Sequence, residues 1–290
     1  MTIPISCPYT CGELFQGTID GIPCLVSCPI TIYSTALPTP GQPQPPLPSK
    51  ARRALDCLPA AAQLPMHLHQ RLPPGRGYGT STADIGSTLF AAAHWANIPL
   101  DPIEASRLAV RIEPTDSSLL PGLTLFDHRQ GALVEHLGAP PPVAIVILDP
   151  GVTVDSEAFN EQDWTDALRK IASLHQQAFD LLKDGILRQD IDAVGEAASL
   201  SATAHQEILL NPWLEHALVL ARQVKASGVC RAHSGSILGI LFPKNTFDHQ
   251  SVTRYIQKHL PTQVQLRVTE ITGGGPVVES TALQIEDETQ

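Results

Sequence analysis

Apolar positions in this chain fall into short strand-like runs near the N-terminus and then into runs at helical spacing. Ile3–Cys7, Gly12–Thr18 and Pro23–Tyr33 read as strands, with Gly12, Gly17 and Gly21 at turn or bulge positions. From Pro38 to Pro48 six prolines sit in a polar setting. Proline fixes φ and lacks a donor, so this stretch reads as a surface loop or stiff linker. Lys50–Leu58 reads as a short helix and Met66–Leu72 as a strand running into a glycine-rich turn. Helical spacing then covers Ser81–His94 and Pro102–Val110, followed by strands at Leu123–Asp127 and Ala132–Glu135.

A break at Ala139–Pro142 precedes the uninterrupted apolar strand Val143–Leu148. Beyond it come helices at about Gln162–Lys183, Asp190–Gln206 and Pro212–Ser227. Strands at Gly228–His233 and Ile237–Phe242, a helix at Phe247–His259 and a strand at Gln265–Ile271 complete the order. With the middle helices taken as an insertion, the second half reads β-α-β-β-α-β, the ferredoxin-like unit. An acidic tail from Glu279 is expected to fray. The expectation is an α+β protein with two domains, 1–141 and 142–290.

Composition narrows the function classes. The chain has 290 residues with 19 basic and 29 acidic side chains, a formal charge of −10, which argues against a nucleic-acid or anionic-membrane surface. No apolar run is long enough to cross a membrane, and the N-terminus shows no basic segment followed by an apolar one. A soluble, cytoplasmic protein is expected. Four of the six cysteines, Cys7, Cys11, Cys24 and Cys28, form two C-x3-C pairs. That spacing occurs in zinc sites, but the surrounding residues read as strand and turn, where reduced thiols serve as small apolar side chains.

The segment with most chemistry is Leu72-Pro73-Pro74-Gly75-Arg76-Gly77-Tyr78-Gly79-Thr80-Ser81-Thr82-Ala83-Asp84, set between a strand and a helix. Its alternate glycines let backbone amides turn toward an anion, and its hydroxyls fall at a helix N-terminus, where phosphate is favoured. Pro74 through Thr82 are the candidate phosphate contacts, and Thr80 or Ser81 offers oxygen to Mg2+. The segment is neither a Walker loop nor a dinucleotide-binding turn. A second candidate, Arg111-Ile112-Glu113-Pro114-Thr115-Asp116, supplies two carboxylates for metal binding and for the acceptor hydroxyl. The small-residue turn Ala232-His233-Ser234-Gly235-Ser236 and the Gly12-Glu13 pair are weaker signals taken singly.

Taken in order, Gly12-Glu13, the PPGRGYGTSTAD loop and the AHSGSILGIL turn resemble the three motifs of the GHMP kinases over essentially the whole chain. Cys7-Pro8, Cys11 to Leu14, Gln16-Gly17, Ser81–Asp84, Glu113–Asp116, Pro121–Leu123 and Phe126–His128 are similar to the pattern of the L-threonine kinases of cobalamin synthesis and propanediol utilisation. The resemblance implies an N-terminal domain like ribosomal protein S5 domain 2 and a ferredoxin-like C-terminal domain. It implies ATP and Mg2+ as cofactors, Glu113 with Thr80 or Ser81 at the metal, and Asp116 as the catalytic carboxylate. The partners it implies are ATP and an amino acid, with a homodimer compatible.

For the acceptor, Glu13 and Asp84 are candidate ammonium partners, and Arg231, His233 and Ser234 candidate contacts near its carboxylate. Two positions depart from the wider family: no Lys or Arg follows Pro8, and Leu14 replaces the usual His. A homoserine kinase, a metabolite sensor on the same fold and a zinc-binding interaction protein are the rival readings.

Overall fold

The computed structural model describes residues 2–43, 45–154 and 164–278. Among the described residues ten strands join in one sheet along the path β5-β4-β2-β1-β7-β8-β6-β9, with β3 added to β2 and β10 (Val277–Val278) to β1. β1 (Ile5–Ile19) and β2 (Ile22–Pro38) form a long hairpin whose register shifts three times between Pro8 and Phe15. The two N-terminal strands expected before Thr18 are therefore one bent strand, with Gly12 at φ +57° inside the bend. β2 also runs five residues past Tyr33, because Thr35 to Pro38 pair with β3 (Met66–His69).

β4 (Leu123–Asp127) and β5 (Ala132–Gly138) extend the sheet beyond β2. At the other side a single register pair, Glu13 with Arg231, links β1 to β7 (Gly228–Arg231). β8 (Leu238–Pro243), β6 (Val143–Asp149) and β9 (Gln265–Glu270) follow. Within the second half the strand order is β7-β8-β6-β9, all antiparallel. That is the ferredoxin-like arrangement expected from the sequence.

The reason for the unbroken apolar run at β6 is visible in its packing. Val143, Ile145 and Ile147 join one buried cluster and Ala144, Val146 and Leu148 a second. A strand covered on both faces has no polar alternation to show. The second cluster also holds Leu214, Ala217 and Leu220 of one helix and Ile256 of another.

Helices α1 (Ser49–Asp56), α2 (Thr80–Trp95) and α3 (Pro102–Val110) belong to the first half. Ile85, Leu89 and Ala91 of α2 are fully buried, and Ser87 and Thr88 are buried with them. Such an all-round buried helix sits inside the fold rather than on its surface. In the second half, α4 (Thr165–Lys170) and α5 (Ala172–Arg188) replace the single helix expected at 162–183. The residue between them, Ile171, is buried with ψ 9°, which interrupts the helix. α6 (Ile191–Ala204), α7 (Leu214–Gln223) and α8 (His249–Lys258) are each shorter than expected. α5 packs on β1 through Phe179, whose ring lies 5.4 Å from that of Phe15.

Cys7, Cys11, Cys24 and Cys28 are free thiols buried in the first cluster, with Cys230 Sγ 3.9 Å from Cys11 Sγ. Among the described residues no three His, Cys, Asp or Glu side chains form a group able to hold a metal by themselves. No described helix is long and apolar enough to cross a membrane. The start of the expected 162–183 helix and the acidic tail from Glu279 lie outside the described residues.

Candidate active site

A cleft of about 440 Å³ opens where the glycine-rich turn enters α2. The turn is tethered by its carbonyls. Gly75 O accepts from Val154 N (2.8 Å), Arg76 O from Ser236 N (2.9 Å) and Ile237 N (3.1 Å), Gly77 O from Gly12 N (3.2 Å), and Tyr78 O from Thr10 N (2.8 Å). In a planar trans peptide the N–H points opposite the C=O. The amides of residues 76 to 79 therefore face away from these four tethers, and Gly77, Tyr78 and Gly79 line the cleft. Gly75, Gly77 and Gly79 all have positive φ, between 61° and 100°. A side chain at Gly77 would collide with Ala232, so the 232–236 turn and the glycine turn fit only without one.

α2 then begins at Gly79 with no side-chain cap and no acidic residue in its first turn. An uncapped helix start presents unpaired N–H groups and the positive end of the helix dipole. Thr80, Ser81 and Thr82 line the cleft there. Ser81 Oγ donates to Glu113 Oε1, and Lys50 Nζ lies 2.6 Å from Glu113 Oε2. Thr82 Oγ1 is shared between Thr115 Oγ1 (2.8 Å) and Asp116 N, which donates to it (3.1 Å). These bonds fix the Glu113–Asp116 segment to the first turn of α2. Thr115 N also donates to His128 O (3.2 Å), and His128 is buried, which pulls its imidazole pKa down to about 4.

Asp116 is set against Gly79, where a β-carbon would meet its Oδ2 and the Thr10 hydroxyl. Burial pushes its carboxyl up to about 8, reinforced by the charges of Glu13 and Glu113 and opposed by Thr82. Glu13 lines the same cleft. Its Oε2 accepts from His233 N and faces His233 Nδ1, both at 2.8 Å. Burial raises the Glu13 carboxyl to about 8, against the His233 amide and the Arg231 charge, which lower it. Asp84 accepts from Ser34 Oγ (2.6 Å) and from Gln70 Nε2, and burial raises it to about 6. Ser234 completes this part of the wall.

The cleft thus brings together Pro74, Gly75, Gly77 to Thr82, Glu113, Asp116, Glu13, Asp84 and Ser234. Three expected contacts lie elsewhere. Arg76 Nη1 reaches Asp149 Oδ2 (3.0 Å), so its guanidinium braces the turn and does not line the cleft. Arg231 is fully buried behind the wall, donating to Gln206 Oε1 (2.8 Å) and Ala232 O (3.1 Å). His233 is also fully buried, and its contact with the cleft runs through Glu13. β7 ends at Arg231, short of the expected His233, because the His233 amide bonds to that carboxylate rather than to a strand.

Sequence reasoning missed Lys50, Gln70 and Asp149. Asp149 accepts from Arg76, from Tyr78 OH (2.9 Å) and from Gly151 N (2.9 Å), closing the end of β6 onto the glycine turn. Burial, then the Asp149 charge, push the Tyr78 hydroxyl up, so it stays a neutral donor. Lys50 is signalled only by its place beside the proline-rich stretch, and Gln70 by nothing in the sequence.

Residues 49–120 match the family model "GHMP kinases N terminal domain". The chain is 34% identical to an L-threonine kinase of Citrobacter freundii over 281 residues, which covers 92% of this chain and 97% of that protein. Homoserine kinase from Cytophaga hutchinsonii shares its fold with a TM-score of 0.67 and 15% identity, covering 96% of this chain and 97% of its own. A structure solved in complex with MVAPP, AMPPCP and magnesium superposes with a TM-score of 0.66 at 14% identity, over 97% of this chain and 100% of its own. The glycine turn, the carboxylates beside it and these likenesses lead to one conclusion: the chain belongs to the GHMP kinase family and is a phosphotransferase whose acceptor is a hydroxyl group.

Proposed function

We propose that this chain is an L-threonine kinase, transferring the γ-phosphoryl group of ATP to the threonine side-chain hydroxyl. The product on this reading is L-threonine O-3-phosphate, used in the cytoplasm to build the aminopropanol linker of cobalamin. The observation that carries the reading is the glycine turn, its four carbonyls tethered inward, ending in an uncapped helix with Asp116 set beside it. The relative named L-threonine kinase supports the choice of acceptor. Residues 1–141 and 142–290 act as its two units on this reading, with the Glu13–Arg231 pairing one of several contacts between them.

The triphosphate is bound by amides of the 75–82 segment, the kind of concave backbone nest that takes anions. Magnesium is held by few protein oxygens and completes its shell with phosphate and water. Ser81 and Glu113, already joined, with Thr80 beside them, fit that demand. A magnesium ion held there would supply positive charge against the phosphates. Asp116 accepts the proton of the threonine hydroxyl or orients that hydroxyl, a modest task because the transition state is loose. Glu13 receives the ammonium group on the oxygen that His233 leaves open. Arg231 and His233 serve by holding Glu13 in place.

A coupled assay of ADP release with Mg·ATP and threonine, serine, homoserine or mevalonate tests the proposal. Threonine is expected to give the highest kcat/KM. Homoserine kinase is the second reading, favoured by the fold shared with a protein of that name, and a preference for homoserine would establish it. Nucleotide binding without ADP release from any acceptor would instead support a sensor.

A further inference from the structure

The walls of the cleft are acidic. Glu13, Asp84, Glu113 and Asp116 all line it, and among the described lining residues Lys50 is the single fixed cation. Lys50 is the second residue of α1, directly after the proline-rich stretch, and its side chain is 26% exposed. Its ammonium lies 2.6 Å from Glu113 Oε2, while Glu113 Oε1 takes the Ser81 hydroxyl at the start of α2. Lys50 therefore touches the one carboxylate that bridges to the first turn of the phosphate-binding helix.

Two charge demands meet at this point. A nucleoside triphosphate brings several negative charges into a wall already carrying four carboxyl groups, and backbone amides supply only partial charges against them. Glu113, when it serves a divalent cation, no longer needs Lys50 as its counter-charge. A long, flexible ammonium next to both groups meets the first demand when released from the second.

Resting on the kinase reading above, we propose that Lys50 is a catalytic residue: on metal–nucleotide binding its ammonium passes from Glu113 to the terminal phosphates and stays on the phosphoryl group during transfer. The γ-phosphorus–oxygen bond to the β-phosphate breaks as the bond to the acceptor oxygen forms. The electron pair leaves with the β-phosphate oxygen, the proton of the acceptor hydroxyl goes to Asp116, and Lys50 keeps its own proton throughout. The proline-rich stretch then has a purpose, because it delivers α1 to the rim of the cleft.

The test is nucleotide binding with saturating Mg2+, read by calorimetry, for wild type, Lys50→Met, Lys50→Gln and Lys50→Arg. The probes are the β,γ-methylene analogue of ATP and adenosine. Charge-assisted contacts predict that Lys50→Met and Lys50→Gln bind the triphosphate about tenfold or more weakly, with adenosine affinity unchanged, and that Lys50→Arg retains most of it. With Mg2+ compensating the Glu113 charge, a merely structural partner of Glu113 would not separate the two probes. Equal triphosphate affinity in wild type and both neutral variants would overturn the role of Lys50 while leaving the kinase reading intact. Wild type that bound neither probe would remove both.

Discussion

The space that a side chain at position 79 would need is held by the carboxylate of Asp116. An added β-carbon on Gly79 would meet Asp116 Oδ2, and Gly79 is also held at φ +61°. The glycine turn and the Asp116 carboxylate thus lie in contact only because residue 79 carries no side chain. Gly79→Ala is expected to fold less stably by about 1–2 kcal/mol, from the left-handed backbone alone. It should also lose activity out of proportion, because Asp116 must move. A thermal melt beside an ADP-release assay checks both, and wild-type turnover in this variant would contradict the arrangement.

Asp116→Asn separates chemistry from binding. General-base help is commonly about 10²–10⁴-fold, so turnover should fall within that range while nucleotide affinity holds. The same change should stabilise the fold near neutral pH. Asp116 is raised to about 8 in the folded chain against an ordinary value near 3.8. Between those values the folded chain holds a proton that the unfolded chain has released, so this group's contribution to stability falls as pH rises. The variant should melt a few degrees above wild type at pH 8 and together with it at pH 4.

The pH profile of the reaction follows from the same group. Wild-type kcat/KM for the acceptor should climb with pH and level off above about 8, as Asp116 loses its proton in the free enzyme. Glu13, also raised to about 8, acts in the same direction. Asp116→Asn should flatten the Asp116 part of that limb. A profile level from pH 6 to 9 in wild type would show that neither acid needs to ionise.

Much of this site was legible in the sequence and some of it was not. The glycine turn, Glu113 and Asp116 stood out because phosphate and metal chemistry demand those residue types in local runs. The strand order of the second half followed from element order alone. Lys50 and Asp149 escaped notice because each acts across a long chain separation, Lys50 on Glu113 and Asp149 on Arg76 and Tyr78. Arg231 was read toward the acceptor because charge invites that role. Its burial behind β1 is set by the register of Glu13 with Arg231, which no local pattern encodes.

Asp149 gives a further prediction about the turn. Asp149→Ala leaves the buried Tyr78 hydroxyl and the Arg76 guanidinium without their partner, at a cost of about 3 kcal/mol. Tyr78→Phe removes one neutral donor to that carboxylate and should cost about half as much. Both should raise KM for ATP, the first more than the second, as read by melting curves and initial rates. Unchanged KM in Asp149→Ala would mean that the turn keeps its shape without this clasp.

On the proposed reading, acceptor choice rests on Glu13. Wild type should prefer threonine over 3-hydroxybutyrate, which keeps the hydroxyl and carboxylate but lacks the ammonium. Glu13→Gln should shrink that preference by about 10–100-fold, the range of a charge-assisted contact in a dry site, with KM for ATP little changed. Equal discrimination in both proteins would place the ammonium elsewhere.

The most direct test of the whole account is a crystal structure of the chain with the β,γ-methylene analogue of ATP, Mg2+ and L-threonine. The triphosphate should lie on the amides of residues 76 to 82, with the Asp116 carboxylate within hydrogen-bond reach of the threonine hydroxyl. Phosphates docked away from the start of α2, or a threonine hydroxyl out of reach of Asp116, would contradict it.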